Sequence, residues 1–306
     1  MDSLMRNAFL FLSKNRTANR TAKKYGLRFG AKRFVAGEQI SEAITAVREL
    51  NDRGIVVTLD HLGEFISTTD EAVESMKYCI RTLDEIASSG VKANLSLKLT
   101  QLGLDISRDL CLSNMRSILE AASRYDNFVR IDMEDYAHNE ASIDLFCQLR
   151  EEFGSTIGLV IQAYLYKSEE DIAMLHRYRP NLRLVKGAYK EPPEVAFPKK
   201  EDVDTNYIRI IEQHLTNGDY AAIATHDDNI INSVKTFVKK NNIPLSQFEF
   251  QMLYGIRTQA QQQLADEGYT MRVYVPYGDD WYGYFMRRLA ERPANVGFVL
   301  KSMFKS

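Results

Sequence analysis

The chain is short of cysteine, of histidine and of long apolar runs, and each shortage removes a class of protein. Its three cysteines (Cys79, Cys111 and Cys147) are scattered and odd in number. They make neither a disulfide framework nor a zinc pattern, suit a reducing compartment, and read best as small buried hydrophobes. The five histidines contain no H-x-H pair, and only His61 and His226 stand at the end of an apolar run. A metallohydrolase barrel wants several His and carboxylates converging. No metal site is therefore assigned, although Asp60, Asp132 and Glu134 leave a hard-cation reading open. No apolar stretch approaches the roughly 18 residues that cross a bilayer, and residues 8–12 are too few for a signal-peptide core. There is no G-x-G-x-x-G loop, P-loop, internal repeat or low-complexity linker. The one Pro-rich spot, residues 191–193 with Pro198, reads as a loop. A net charge of −2 offers no overall electrostatic case for nucleic acid.

What is present is a chain of 306 residues, 45% hydrophobic and 26% charged, the balance of a soluble globular protein able to bury a large core. Charge is unevenly spread. The first 35 residues hold nine Lys or Arg against one acid, Asp2, and the remainder is correspondingly acidic. Residues 1–50 are read as a basic helical arm and 51–306 as the catalytic domain. Two readings of the arm stand: it folds onto its own acidic body, or it touches an anionic membrane surface. An Arg-rich, acid-poor start also has the composition of a mitochondrial presequence. The expected location is the cytoplasm, with peripheral contact at the inner membrane face left open by the arm.

From Asp52 onward, short apolar runs alternate with amphipathic stretches. The strands are expected over 55–59, 93–99, 128–133, 157–163, 182–186, 221–225, 248–253 and 271–275. Helical periodicity follows over 69–88, 109–125, 139–153, 168–178, 204–216, 229–239, 258–267 and 281–290. Eight βα units predict an α/β fold of the (β/α)8 type, a TIM barrel. An open doubly wound sheet is the alternative, and it wants the Gly-rich turn that is missing. The strand tips are Asp60, Lys98, Asp132, Gln162, Lys186, His226, Gln251 and Tyr274. In a parallel barrel the carboxyl ends of all strands ring one mouth, so these side chains converge and predict an enzyme.

Three features carry chemistry. Alternation in Leu95-Ser96-Leu97-Lys98-Leu99 turns Ser96 and Lys98 inward and the leucines toward the helices. A lysine held there is a Schiff-base nucleophile or a fixed cation, and the same choice applies to Lys186. Arg287-Arg288 sits among Trp281, Tyr282, Tyr284 and Phe285; a solvated charge pair is the ordinary reading, and a carboxylate fork in a partly dry pocket the sharper one.

Seven segments in chain order carry a family resemblance: 97–99 (LKL), 132–134 (DME), 183–189 (RLVKGAY), 224–227 (ATHD), 250–255 (FQMLYG), 274–278 (YVPYG) and 284–289 (YFMRRL). The chain resembles the monofunctional members of the FAD-dependent proline dehydrogenase family, from about Gly54 to the last helix. The resemblance implies a distorted barrel, FAD as cofactor, and oxidation of L-proline to Δ1-pyrroline-5-carboxylate with electrons passed to a membrane quinone. It implies that Arg287 and Arg288 clamp the proline carboxylate with Lys98 nearby, and that Tyr274 packs on the pyrrolidine ring. Asp132 then orders the site, and Arg183 lies near flavin N5. Met133, Gln162, Val185, Lys186, Gly187, Tyr189, Thr225, His226, Gln251, Leu253 and Glu291 complete the flavin shell, and Glu64 pairs with Arg287 as a gate. Two departures stand out. Lys190 follows Tyr189 where bifunctional members carry Trp, and the chain is too short for their aldehyde dehydrogenase half. A separate pyrroline-5-carboxylate dehydrogenase is the expected taker of the product. The alternative function is a Schiff-base or metal-dependent barrel lyase or hydrolase.

Overall fold

The computed structural model describes residues 31–63 and 66–291, with backbone alone at 291. Eight parallel strands close into one barrel in sequence order: β1 (Val56–His61), β2 (Ala93–Lys98), β3 (Val129–Asp132), β4 (Ile157–Gln162), β5 (Leu182–Val185), β6 (Ala221–Ala224), β7 (Phe248–Leu253) and β8 (Met271–Tyr277). β8 pairs with β1, setting Tyr274 opposite Thr58 and Pro276 opposite Asp60. Closure leaves no exposed edge.

Alternation along the strands separates two environments. Leu59, Leu95, Leu97, Ile131, Leu184 and Val275 face outward and are sealed against the helical layer. Among their neighbours in sequence, Asp60, Ser96, Lys98, Asp132, Arg183 and Tyr274 are polar and point into the barrel. The expected inward turn of Ser96 and Lys98 is met, since both bond to groups on other inward faces.

Helices α2 (Thr69–Ser89), α3 (Arg108–Arg124), α4 (Tyr136–Phe153), α5 (Ser168–Leu175), α6 (Lys200–Thr216), α7 (Asp228–Lys240) and α8 (Thr258–Asp266) follow β1 to β7 in turn. The start of α2 is fixed by a capping box: Thr68 accepts from Glu71 N–H while the Glu71 side chain reaches back, and Gly90 ends the helix in the left-handed region. The stretch expected to be helical to Tyr178 tightens into a 3-10 turn over His176–Tyr178.

Two helices depart from a regular barrel. α1 (Ile40–Asn51), within the expected 1–50 arm, buries Ala43, Ile44, Val47 and Leu50 in the barrel core and packs on β1 and β8. That is the wall position an eighth βα helix would take. The helix after β8, α9 (Trp281–Glu291), instead packs Trp281, Tyr284, Phe285 and Leu289 with Phe34, Val35, Leu62 and Ile256. Leu62 and Ile256 lie just past the carboxyl ends of β1 and β7, so α9 sits at the barrel mouth. This is the distortion, and it brings Arg287 and Arg288 to the end where the strand tips are. Residues 1–30 of the arm lie outside the described residues.

Candidate active site

The inward face of β2, β3, β5, β7 and β8 carries one connected polar network. Arg183 on β5 donates Nε–H to Gln251 Oε1 at 2.6 Å and Nη1–H to Ser96 Oγ at 3.1 Å and Asp132 Oδ1 at 2.5 Å. Ser96 also donates to Asp132 Oδ1 at 2.7 Å. Tyr274 on β8 reaches across the barrel, its hydroxyl 2.7 Å from Asp60 Oδ2 and 2.8 Å from Asp132 Oδ2. The phenol has one proton, so it donates to one carboxylate at a time. The Arg183 guanidinium lies 5.2 Å from the centre of the Tyr274 ring, within cation–π range. Two carboxylates, a guanidinium and a phenol thus hold each other in fixed rotamers.

Lys98 completes the group, with Nζ 3.4 Å from Asp60 Oδ2. Burial pulls its pKa down, but the Asp60 and Asp132 carboxylates outweigh burial and hold it above the ordinary lysine range. A lysine that stays protonated is a fixed cation and not a Schiff-base nucleophile. Burial, then Asp132 and Asp60, push the Tyr274 phenol well above its usual value, so it remains a donor. Arg287 and Lys98 both act electrostatically on the Tyr189 phenol, which puts α9 and the β2 tip around the segment after β5. The Arg288 guanidinium lies 5.0 Å from the Tyr284 ring centre.

The β4–β7 side is arranged differently. Gln162 donates to the Glu134 carbonyl at 2.9 Å. His226 Nε2 accepts the Leu253 N–H at 3.0 Å, so the neutral ring carries its proton on Nδ1. Thr225 Oγ1 accepts from Asp227 N–H, and Asp227 caps α7 through Asn229 N–H. Lys186 is held by two carboxylates, Asp204 at 2.5 Å and Asp227 at 2.9 Å. Gly187 takes φ +111°, and a Cβ there would run into the Tyr164 ring. The glycine is therefore required by Tyr164 as well as by its backbone conformation. Met133 is buried, with Asn139 Nδ2 3.7 Å from its sulfur. Val185 ends β5, Leu253 ends β7, and Tyr189 is 40% exposed on the loop after β5.

The structure thus gathers Lys98, Asp132, Arg183, Gln251 and Tyr274 into one bonded cluster. Met133, Gln162, Val185, Lys186, Gly187, Tyr189, Thr225, His226 and Leu253 stand at or just past the carboxyl ends of their strands. Glu64 and the Glu291 side chain lie outside the described residues. His61 stacks on Tyr78 at 4.5 Å and meets Tyr277 edge-on, and burial holds its pKa down, which makes it a packing residue. Asp60, expected among the converging strand tips, and Ser96, expected to turn inward, both join the cluster although neither was given a role, and Glu249 below it was missed. Strand alternation carried a signal for all three.

The buried polar atoms near the mouth with no hydrogen-bond partner among the described residues include Gln162 Oε1 and Arg183 Nη2. One needs a donor and the other an acceptor, at a cost of roughly 1–3 kcal/mol each if left unmet. A flavin ring edge offers both kinds of group, an N–H and several carbonyl or imine acceptors. The donor set fits such a group.

An eight-stranded barrel whose strand tips carry a charged, interbonded polar cluster is the arrangement of a barrel enzyme with its active site at the carboxyl ends of the strands. The proline dehydrogenase family profile matches residues 43–301. The chain is 51% identical to proline dehydrogenase 1 of Bacillus subtilis strain 168 over 302 residues, 99% of this chain and 100% of that one. It is 45% identical to the proline dehydrogenase of Deinococcus radiodurans, over 100% of this chain and 99% of the other. Among solved structures, proline utilization A from Bdellovibrio bacteriovorus inactivated by N-propargylglycine superposes with a TM-score of 0.83 at 26% identity, covering 94% of this chain and 36% of that longer one. The chain belongs to the proline dehydrogenase family, oxidoreductases of the first step of proline catabolism. Membership implies a flavin cofactor.

Proposed function

We propose that this chain binds FAD at the carboxyl ends of β4 to β7 and oxidises L-proline to Δ1-pyrroline-5-carboxylate. The observation that carries this reading is Arg183, whose Nε and Nη1 are tied to Gln251, Ser96 and Asp132 while buried Nη2 lacks an acceptor among the described residues. A guanidinium locked on two sides presents its remaining donor in a fixed place, which suits a ring atom that gains negative charge on reduction. When bound, the flavin supplies the two-electron oxidant.

The chain's own residues do the positioning. Arg287 and Arg288 on α9 take the proline carboxylate, with Lys98 as a third cation that stays charged because two aspartates face it. Tyr274 lies against the pyrrolidine ring, held by Asp60 and Asp132. Asp132 orders Arg183, Ser96 and Tyr274 at once. Met133, Gln162, Val185, Lys186, Gly187, Tyr189, Thr225, His226, Gln251, Leu253 and Glu291 hold the cofactor. Oxidation removes a hydride from a ring carbon and a proton from nitrogen, so a fixed, dry carboxylate clamp favours one reacting orientation.

Electrons pass on to a membrane quinone, and a separate pyrroline-5-carboxylate dehydrogenase takes the product. The protein works in the cytoplasm and meets the inner membrane face peripherally, a reading supported by the basic composition of residues 1–35. The test is the visible spectrum of the purified protein under anaerobic conditions, before and after L-proline. A flavin spectrum that bleaches is expected. A flavin that stays oxidised removes the substrate assignment, and a colourless protein that FAD does not reconstitute removes the cofactor.

A further inference from the structure

Beneath the site, one layer further into the barrel, lies Glu249, 2% exposed on the inward face of β7. Its Oε1 accepts from Gln251 Nε2 at 2.5 Å and from Arg272 Nε at 2.8 Å, and its Oε2 accepts from the Tyr220 hydroxyl at 3.0 Å. Burial opposes its charge, but the Arg272 guanidinium beside it holds its pKa below the usual carboxylate range. Arg272 is itself anchored, donating Nη1–H to the Val57 carbonyl at 2.7 Å.

The consequence concerns a neighbour. A side-chain amide has one donor end and one acceptor end, and nothing intrinsic decides which way it points. A carboxylate accepts only. Beside Glu249, Gln251 must therefore turn its NH2 downward, and its carbonyl is then left facing up toward Arg183 Nε. Were the amide reversed, its NH2 would face the Arg183 N–H and its oxygen would face the Glu249 carboxylate. Both contacts would be repulsive. We propose that Glu249 is a positioning residue: through Gln251 it fixes the rotation of the Arg183 guanidinium and so determines which donor is turned to the cofactor. This deepens the role given to Arg183 and rests on it.

The effect is separable from fold stability. Breaking a buried pair by neutralising one partner leaves a lone charge and is destabilising, whereas replacing both partners by apolar residues of similar size is often nearly neutral. In Glu249→Gln, Arg272 Nε–H still demands an oxygen at the Oε1 position, so the new amide keeps its carbonyl toward Gln251 and the orientation survives. In the double variant Glu249→Leu with Arg272→Met, the charges leave together and Gln251 loses its guide.

The experiment uses the flavin-loaded holoenzyme and reads unfolding midpoint, kcat, KM for L-proline and the midpoint potential of the bound flavin by chemical reduction without proline. Glu249→Gln should lower the unfolding midpoint yet retain kcat within about threefold. The double variant should unfold near the parent but lose at least about tenfold in kcat with little change in KM. Its flavin potential should fall by about 30 mV, the equivalent of tenfold for a two-electron couple. Gln251→Leu leaves Glu249 and Arg272 paired and should reproduce the fall in potential; it serves if the double variant does not fold. A parent-like potential in Gln251→Leu or in a folded double variant overturns the proposal, as does a change confined to KM. Because the potential is measured without proline, a wrong substrate assignment would show in the parent's failure to bleach, apart from this result.

Discussion

On the outward face of the barrel strands, Leu95, Leu97, Ile131 and Leu184 are sealed between sheet and helices. At adjacent positions of the same strands, turned inward, stand Ser96, Lys98, Asp132 and Arg183, joined to Asp60, Gln251 and Tyr274. The outward leucines gain stability simply by leaving water, roughly 1.5–3 kcal/mol each. The inward groups gain little net free energy, since burying charges costs about what their pairing returns. What they acquire is fixed geometry. The outer face makes the barrel, and the inner face makes the site.

The two faces should therefore fail differently. The largest effect is expected where the inner chemistry continues onto α9: Arg288→Ala should lower kcat/KM for L-proline by about 4 kcal/mol, on the order of a thousandfold, through loss of a charge-assisted carboxylate contact. Its unfolding midpoint should move little. Steady-state kinetics decide it, and an unchanged kcat/KM would remove proline carboxylate binding from this arginine. Leu97→Ala should do the reverse. Deleting a side chain that is 1% exposed should cost about 3 kcal/mol of stability from lost burial and the cavity left behind. The kcat of the protein that remains folded should hold. Denaturant unfolding reads the first number, and a large loss of kcat at full folding would show that the faces are not independent.

Much of this was legible in the chain itself. Runs such as 129–132 and 157–162 announced strands, and alternation around Lys98 announced which side was inward. The same rule covers Phe248-Glu249-Phe250-Gln251, where Glu249 shares the face of Gln251 although only the strand tip drew notice. Periodicity was silent about partners. The apolar stripe of Ala43, Ile44, Val47 and Leu50 tells that α1 buries one side, but not that it occupies the wall between β8 and β1. Nor does the aromatic side of α9 say that it lies over the mouth. The pairing of Lys186 with Asp204 depends on the path of the loop between β5 and α6. The start of that helix was also hidden, since Lys200, Glu201 and Asp202 are solvated and carry no apolar signal.

The smallest expected effect is a flat line, and it tests whether the inward lysine is a spectator charge or a reactive amine. The folded-state pKa of Lys98 is raised by Asp60 and Asp132 against the opposing effect of burial. A raised lysine contributes stability that is complete below its unfolded value, about 10.4, and is lost only as pH climbs through the higher folded value. Between pH 6 and 9 the ammonium is charged in both states. Lys98→Met therefore changes stability by an amount that does not vary across that interval. Urea unfolding of parent and variant at pH 6, 7, 8 and 9 should give two parallel curves. A difference that slopes with pH would mean that Lys98 itself, or a carboxylate it faces (Asp60, Asp132 or Glu134), titrates in that interval. Only the first leaves a free amine on the inner face, and borohydride trapping with a carbonyl substrate would single it out and return the Schiff-base chemistry.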